Sequence, residues 1–353
     1  MNHSTAQLNT RKEPFASLPD YGEMELSTQI LIQSAFKFGL AVEVLDRSEN
    51  FIRITNPQNQ QVEYVKEATK TSLDKYSQVL IMENKEVTKL VLSEQQIHVP
   101  SSFTIHQKAE GLKLFHEHKL PSQLVVKPNS TNFGKGITVF STGYLENEFS
   151  QALDKAFQED QTILLETFQP GKEYRILVLG DEVVAVLNRV PANVIGDGVH
   201  TIEELVRIKN QNPLRGQNYT RPLEFLKLAA SERAFLAAQN LTVHSIPACD
   251  QQVFLRENSN ISTGGDSIDF TDQLHASYKN IALAAAQALD VRICGVDIII
   301  ENIDTPAKPD NYAIIEVNFN PAIHIHCYPF EGVNRQVGDK IIQLLFFNHK
   351  KEF

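Results

Sequence analysis

Hydrophobic and polar positions along the chain follow two periods, and the switches between them mark out the elements. In "STQILIQSAFKFGLAVEVLD" (27–46) apolar residues recur at helical spacing up to Gly39 and then alternate, which predicts a helix closed by glycine and a following strand. "YSQVLIMEN" carries the same α/β texture to about residue 84, a section short for a complete nucleotide-binding domain. "NKEVTKLVLSEQQ" predicts a helix ending before Pro100. The strand "QLVVKP" (123–128) then runs into the loop "NSTNFGKG" and the strand "ITVF". The helix "NEFSQALDKAFQE" leads to the strand "TILLETF", the turn "QPGKE" and a hairpin, "YRILVLGDEVVAVLNRV", turning at Gly180–Asp181. "PANVIGDGVH" reads as a loop, and Thr201 and Glu204 behind it have the spacing of a capping box at a helix start. The last block is a helix over 277–289, the strand "RICGVDIII", a loop and the strand "IIEVNFNP". Hairpins outnumber strict βαβ alternation, which favours α+β lobes over a doubly wound sheet.

The last strand has one unusual face. Alternation puts Ile315, Val317 and Phe319 on one side and Glu316, Asn318 and Asn320 on the other. A hairpin centred on the loop "ENIDTPAKPDN" pairs Asp297 with Glu316 and Gly295 with Asn318, and directly opposed residues share a face. Two carboxylates so close repel unless a cation or proton intervenes. With Asn318 they form an all-oxygen set suited to Mg²⁺ or Mn²⁺, completed by water and phosphate. A solvated strand face with a coincidental aspartate has the same pattern.

Three loops carry further chemistry. "VVKPNSTNFGKGI" ends a strand on Lys127 and sets Gly134 and Gly136 around Lys135; such a loop can bring backbone N–H groups and lysine charge to phosphates, or be an ordinary hairpin. It lacks the GxxxxGK[ST] pattern of a P-loop, and no GxGxxG follows a strand. In "LLETFQPGKEYR", Glu166 ends an apolar strand and Glu173 follows a Pro-Gly turn; each can accept from ribose or adenine, or serve as a turn residue. "FLRENSNISTGGD" (254–266) sends Arg256 and Asn260 into a loop able to hold an anion, or to form an ordered polar turn. "HIHCYP" (324–329) and "HEH" (116–118) lack a second ligand cluster at zinc spacing, and no GxSxG nucleophile motif occurs.

Composition narrows the class. At 353 residues, 42% hydrophobic and 22% charged, the chain can build a sizeable core. Its net charge of −10 argues against wholesale binding of nucleic acid or anionic membrane while leaving room for a local basic pocket. Cys249, Cys294 and Cys327 form no disulfide framework and fit a reducing cytoplasm. The opening residues, 1–24, read as a polar tail or linker without a signal peptide's apolar stretch, and no run is apolar enough to span a membrane.

Taken together these segments resemble the ATP-grasp ligases over roughly residues 84–348. "MELSTQ", "VEVLDRSENFIRI", "YVKEATKTSLD", "VPANVIGDGVHTIEEL", "NPLRG", "LRENSNISTGGDSIDFTD" and "CGVDIII…IIEVNFNPAIHIH" are similar to the glutathione synthetase module of bifunctional bacterial glutamate–cysteine ligase/glutathione synthetases. Cyanophycin synthetase is similar over a shorter stretch. The resemblance implies two α+β lobes clamping ATP, about 84–168 and 169–348, after a short α/β segment at 25–83. It implies that Lys85 and Lys127 reach the ATP phosphates, that the loop with Gly134, Lys135 and Gly136 closes over them, that Glu166, Thr167 and Phe168 line the adenine pocket, and that Glu173 takes the ribose. Asp297, Glu316 and Asn318 match the family's metal ligands. Arg256 and Asn260 match the loop that steadies an acyl phosphate, and Arg175 and Arg189 match positions near the phosphates and the acceptor carboxylate.

Two departures stand out. D-alanine ligases of the superfamily carry an arginine two residues before the metal-binding aspartate; here that place is Gly295, which hands the role to Arg256. The glutamate–cysteine ligase module is absent from the chain, which is therefore a separate enzyme or a piece of a longer one, with such a module as a potential partner. The resemblance implies an ATP- and Mg²⁺- (or Mn²⁺-) dependent carboxylate–amine ligase working through an acyl phosphate and joining γ-glutamylcysteine to glycine. The alternatives are a ligase for another amino acid or peptide and a non-catalytic ATP-binding module.

Overall fold

The computed structural model describes residues 18–131 and 134–347. Three antiparallel sheets organise them, and each carries its own apolar core. The helix Leu26–Lys37, closed by Gly39, is followed by a three-stranded sheet, Ala41–Asp46, Phe51–Thr55 and Val62–Lys66. Ile52, Ile54 and Val65 on that sheet's inner face pack with Leu31 and Ile32 of the helix and with Ile341 and Ile342 of the helix Val337–Phe346. Residues 18–24, read from the sequence as tail, are anchored in this core: Met24 is fully buried, and Leu18 and Tyr21 lie against it. The rest of the expected tail falls outside the described residues.

A four-stranded sheet takes the strands Ser102–Ile105, Ile163–Thr167, Leu124–Pro128 and Thr138–Phe140 in that order. Its core is Ile105, Leu124, Val126 and Leu165 against Phe149 and Leu153 of the helix Glu146–Phe157. The helix Lys85–Glu94, capped by the Asn84 side chain, buries Leu92 in the core of the next sheet instead.

That next sheet has five strands in the order Asp266–Asp269, Glu182–Val190, Lys172–Leu179, Ile293–Ile300 and Tyr312–Asn318. The helix Ala276–Ala288 covers one face through Tyr278, Ala282 and Ala285. The hairpin turns at Gly180–Asp181 as expected, and Thr201 and Glu204 form the capping box at the start of Ile202–Lys209. "PANVIGDGVH" is not all loop: Asn193–Ile195 pairs antiparallel with Gln252–Phe254, a partner too far along the chain for local alternation to reveal. Asp266 ties this inserted unit to the sheet edge, receiving Lys209 Nζ at 2.6 Å, Asn193 Nδ2 at 3.0 Å and the buried Arg215 guanidinium.

Candidate active site

The last hairpin has the register read from the sequence. Asp297 stands opposite Glu316 and Gly295 opposite Asn318, and the one irregularity falls just beyond Asp297, where Ile298 pairs with Ile314. That bulge moves Ile315 out of the core set. With Ile299 it lines the same cavity as Glu316, while Ile314 and Val317 stay in the core. Across the sheet the row continues: Arg175 is the partner of Asp297 on its other side.

Asp297 is therefore clasped by cations. Arg175 meets both of its carboxylate oxygens, with Nη2 at 2.8 Å from Oδ2, and Arg189 Nη2 donates to the same Oδ2 at 3.0 Å. Asn318 Nδ2 adds a donor at 3.1 Å. Burial alone would raise the Asp297 pKa, but the two guanidinium charges outweigh it and hold the carboxyl below its ordinary range. Glu316 has its own cation, with Lys85 Nζ 3.3 Å away. Arg189 also pairs with Glu173, yet its Nε is buried with no hydrogen-bond partner among the described residues. A buried guanidinium N–H without an acceptor is costly and suits an incoming anionic oxygen.

Gly295 makes this arrangement possible. A Cβ there would stand 2.9 Å from both Cδ and Nη1 of Arg175, so the guanidinium lies where a side chain would begin. Arg175, rather than Arg256, thus occupies the space beside the missing arginine's position. Arg256 lines the cavity elsewhere, held by Glu232 at 2.5 Å and Ser231 Oγ at 3.1 Å.

The lysines form a second group. Lys127 Nζ lies 2.8 Å from one oxygen of Glu166, and Lys89 Nζ lies 2.9 Å from the other and 2.7 Å from Ser102 Oγ. All three charged groups are nearly inaccessible to solvent. Burial would push Glu166 up, but the Lys127 and Lys89 charges prevail and lower it; burial lowers Lys89 against the pull of Glu166. Lys85, at the start of its helix, donates to the carbonyls of Asn129 (3.3 Å) and Thr131 (2.8 Å) and so ties down the base of the glycine loop.

These groups open on one cavity of about 770 Å³ between the four- and five-stranded sheets. Of the expected residues, Lys85, Lys127, Gly134, Glu166, Thr167, Phe168, Glu173, Arg175, Arg189, Arg256, Asn260, Asp297, Glu316 and Asn318 line it. Lys135 and Gly136 do not. Gly136, at φ +73°, packs so tightly that a Cβ would meet Pro128 Cγ at 2.7 Å, and the Lys135 side chain is exposed. Gly134 sits instead against Asn258 and Asn260 of the Arg256 loop. Asn132 and Phe133 of the glycine loop fall outside the described residues.

Glu173 is engaged on both oxygens, by Arg189 and by Ser259 Oγ. Sequence reasoning missed the apolar lining of Val125, Ile137, Val139, Ile299 and Ile315, and missed Lys70, Tyr219, Arg221 and Glu224. Eight basic side chains face six carboxylates around the wall, so the cavity suits a polyanion inside a protein whose net charge is −10. Among the described residues no three His, Cys, Asp or Glu side chains gather as a metal site, and no helix is long and apolar enough to cross a membrane.

Comparison with known proteins bears on this geometry. Residues 22–77 match an ATP-grasp-like domain family and residues 82–197 the RimK-like ATP-grasp domain. The chain is 52% identical over 342 residues to the glutathione biosynthesis bifunctional protein of Clostridium perfringens, covering 96% of this chain and 43% of that protein. It is 50% identical over 326 residues to the Listeria monocytogenes protein of the same name, covering 92% and 42%. The crystal structure of a bifunctional glutathione synthetase from Pasteurella multocida superposes with a TM-score of 0.73 at 43% identity, covering 95% of this chain and 45% of that one. The chain thus spans less than half the length of these relatives.

Proposed function

The chain belongs to the ATP-grasp superfamily, and we propose that it is an ATP-dependent carboxylate–amine ligase that joins γ-glutamylcysteine to glycine. The observation that carries this reading is the row Arg175–Asp297–Glu316 on three adjacent strands, with the unpartnered Nε of Arg189 beside it. A ligase of this kind gathers negative charge on a transferring phosphoryl group, and preorganised guanidinium and ammonium groups offset that charge without reorganising.

ATP lies in the cavity with its base on the apolar lining from Val125 to Ile315 and its phosphates towards Lys85, Lys127 and Arg189. Glu173, now held by Ser259, takes the ribose hydroxyls. An oxygen of the substrate carboxylate attacks the γ-phosphorus, the bond to the β-phosphate oxygen breaks, and ADP leaves an acyl phosphate behind. The amine then attacks the acyl carbon, the carbon–oxygen bond to phosphate breaks, and the amine's surplus proton is released. Arg175 and Arg189 hold Asp297 ionised throughout, and Arg256 and Asn260 steady the acyl phosphate.

The residues fit a hard divalent cation, for which we propose Mg²⁺ or Mn²⁺. Asp297 and Glu316 supply carboxylate oxygens, and Asn318 keeps an Oδ1 that accepts no hydrogen bond among the described residues. Two carboxylates and an amide leave half of a six-oxygen shell to phosphate and water. When bound, the ion supplies charge neutralisation at the phosphates.

The three free cysteines, two of them buried, suit the reducing cytoplasm in which we place the protein. A glutamate–cysteine ligase module, on the same or another chain, would supply the dipeptide. The test is ADP release with Mg·ATP, γ-glutamylcysteine and glycine, with mass spectrometry of the product. One glutathione per ADP supports the reading; ADP release only with other amino acids or peptides keeps the mechanism and replaces the substrate.

A further inference from the structure

The account of nucleotide binding leaves part of the cavity wall without a role. Tyr219, Ala322, His324 and Ile325 line it, the last three from the segment that follows Asn318. The histidine motif that lacks zinc spacing therefore opens on the cavity. His324 is only 5% exposed, and its ring centre lies 6.4 Å from that of Tyr219.

The first two residues of one helix fasten both groups. Leu26 N donates to Tyr219 O at 3.0 Å, and Ser27 Oγ lies 2.8 Å from His324 Nδ1 across 297 residues of chain. Asn218 and Tyr219 are held at φ 57° and 56°, a left-handed backbone that persists where surrounding contacts over-determine it. Asn320, which alternation sets on the face of Glu316, spends its amide on the same N-terminal segment. Its Nδ2 donates to Glu67 Oε2 at 2.7 Å, and its Oδ1 accepts from Thr69 Oγ1 at 2.7 Å.

The hydrogen bonds of Ser27 settle which ring nitrogen of His324 carries the proton. Ser27 Oγ accepts from the backbone N–H groups of Ile323 at 3.2 Å and His324 at 3.4 Å, which takes up both lone pairs. Its own proton is left for Nδ1, so Nδ1 accepts and Nε2 carries the hydrogen. Burial lowers the pKa of the ring to about 4, so the imidazole is neutral at pH 7. Nε2–H has no acceptor among the described residues, and it is not sealed inside the protein as both ring nitrogens of His326 are. The ring thus offers the cavity an uncharged, unpaired N–H whose direction is fixed by Ser27.

We propose that His324 Nε2–H donates to the amide carbonyl oxygen of the peptide substrate, with Ser27 as the positioning residue that sets the tautomer. The inference rests on the ligase reading. An uncharged donor selects its acceptor: a buried carboxylate or phosphate calls for a cation, whereas an amide oxygen needs only an N–H. γ-Glutamylcysteine brings such an amide, and neither glycine nor ATP does. The contact reads the peptide bond, and through Ser27 the N-terminal segment becomes a specificity element.

The test compares γ-glutamylcysteine with its thioamide, which puts a weaker acceptor in place of the carbonyl oxygen, in the wild type, His324→Leu, His324→Gln and Ser27→Ala. ATP-induced thermal stabilisation checks that each variant is folded and binds nucleotide. Wild-type kcat/KM should fall about tenfold on the thioamide. His324→Leu should lose about the same factor on the parent dipeptide, carried by the dipeptide KM, and should cease to distinguish amide from thioamide. His324→Gln, which keeps a side-chain N–H, should recover part of both effects. Ser27→Ala should show part of both, so the comparison stands even if the leucine variant fails to fold. A His324→Leu enzyme that keeps wild-type discrimination overturns the inference, as does a KM increase that falls on ATP or glycine instead of the dipeptide. Wild-type turnover without preference for the amide overturns it as well. Wild-type silence with every peptide is a different result, and it removes the ligase reading itself.

Discussion

Asp297 faces Arg175 across two neighbouring strands and is held by it through both carboxylate oxygens, while Arg189 closes on the same carboxylate from the next strand. The aspartate keeps two buried guanidinium groups paired and, in the function proposed above, also offers oxygen to a cation. Asp297→Asn should lower turnover by about two to three orders of magnitude. It should also destabilise the fold by about 3–5 kcal/mol, because Arg175 and Arg189 lose their common anion. ADP-release kinetics and a thermal melt check the two effects; activity loss with an unchanged melting temperature would mean that the pairing contributes little to folding.

Gly295→Ala tests the same hub without removing a charge. The new methyl meets the Arg175 guanidinium at 2.9 Å, and overpacking of this kind costs about 1–3 kcal/mol. Arg175 has to shift off Asp297, so kcat should fall at least about tenfold, as expected for an off-line electrostatic contact. Kinetics beside a crystal structure of the variant would show whether the displacement and the loss go together.

The hairpin register, the turn at Gly180–Asp181 and the capping box at Thr201 were all legible in the sequence, because each is set by residues close along the chain. Asp297, Glu316 and Asn318 could be grouped for the same reason. Their counter-charges could not: Arg175 and Arg189 stand 122 and 108 residues from Asp297, and only the sheet order brings them together. Ile315 was assigned to the wrong face because a bulge leaves no trace in alternation. Lys89 drew no reading from the sequence because its partner Glu166 comes from another sheet, and Lys70 lies in a segment read only as short α/β. Lys135 looked like a phosphate ligand on loop composition alone, and the packing of Gly136 on Pro128 turns it outward.

Lys89→Met should weaken ATP binding through Lys127. Without Lys89, both oxygens of the buried Glu166 fall to Lys127, which is drawn away from the phosphates. A dissociation constant for ATP raised about tenfold, equivalent to one charged hydrogen bond, is expected, with kcat changed less. Equilibrium binding of a non-hydrolysable ATP analogue measures this directly, and Lys89→Arg should recover part of the loss.

Acidification should destabilise the protein below pH 6.5 through its buried histidines. His324, held at Ser27 Oγ 2.8 Å away, has its pKa lowered to about 4 by burial, and burial likewise drives His326 well below 6.5. Between those values and 6.5 the unfolded chain takes up protons that the folded chain refuses, so stability falls as pH falls, by about 1.4 kcal/mol per pH unit for each histidine. Denaturant unfolding at pH 7, 6 and 5 should show that slope, and His324→Leu should remove about half of it.

The most direct measurement of the central claim is oxygen transfer. The dipeptide, labelled with ¹⁸O in the carboxylate that becomes the amide, is turned over with Mg·ATP and glycine, and the released phosphate is weighed by mass spectrometry. Attack of that carboxylate on the γ-phosphorus, at a site built around Asp297, Arg175 and Arg189, predicts one ¹⁸O in each phosphate formed. Unlabelled phosphate accompanying amide formation would contradict the acyl-phosphate route and the role given to this cluster of charges.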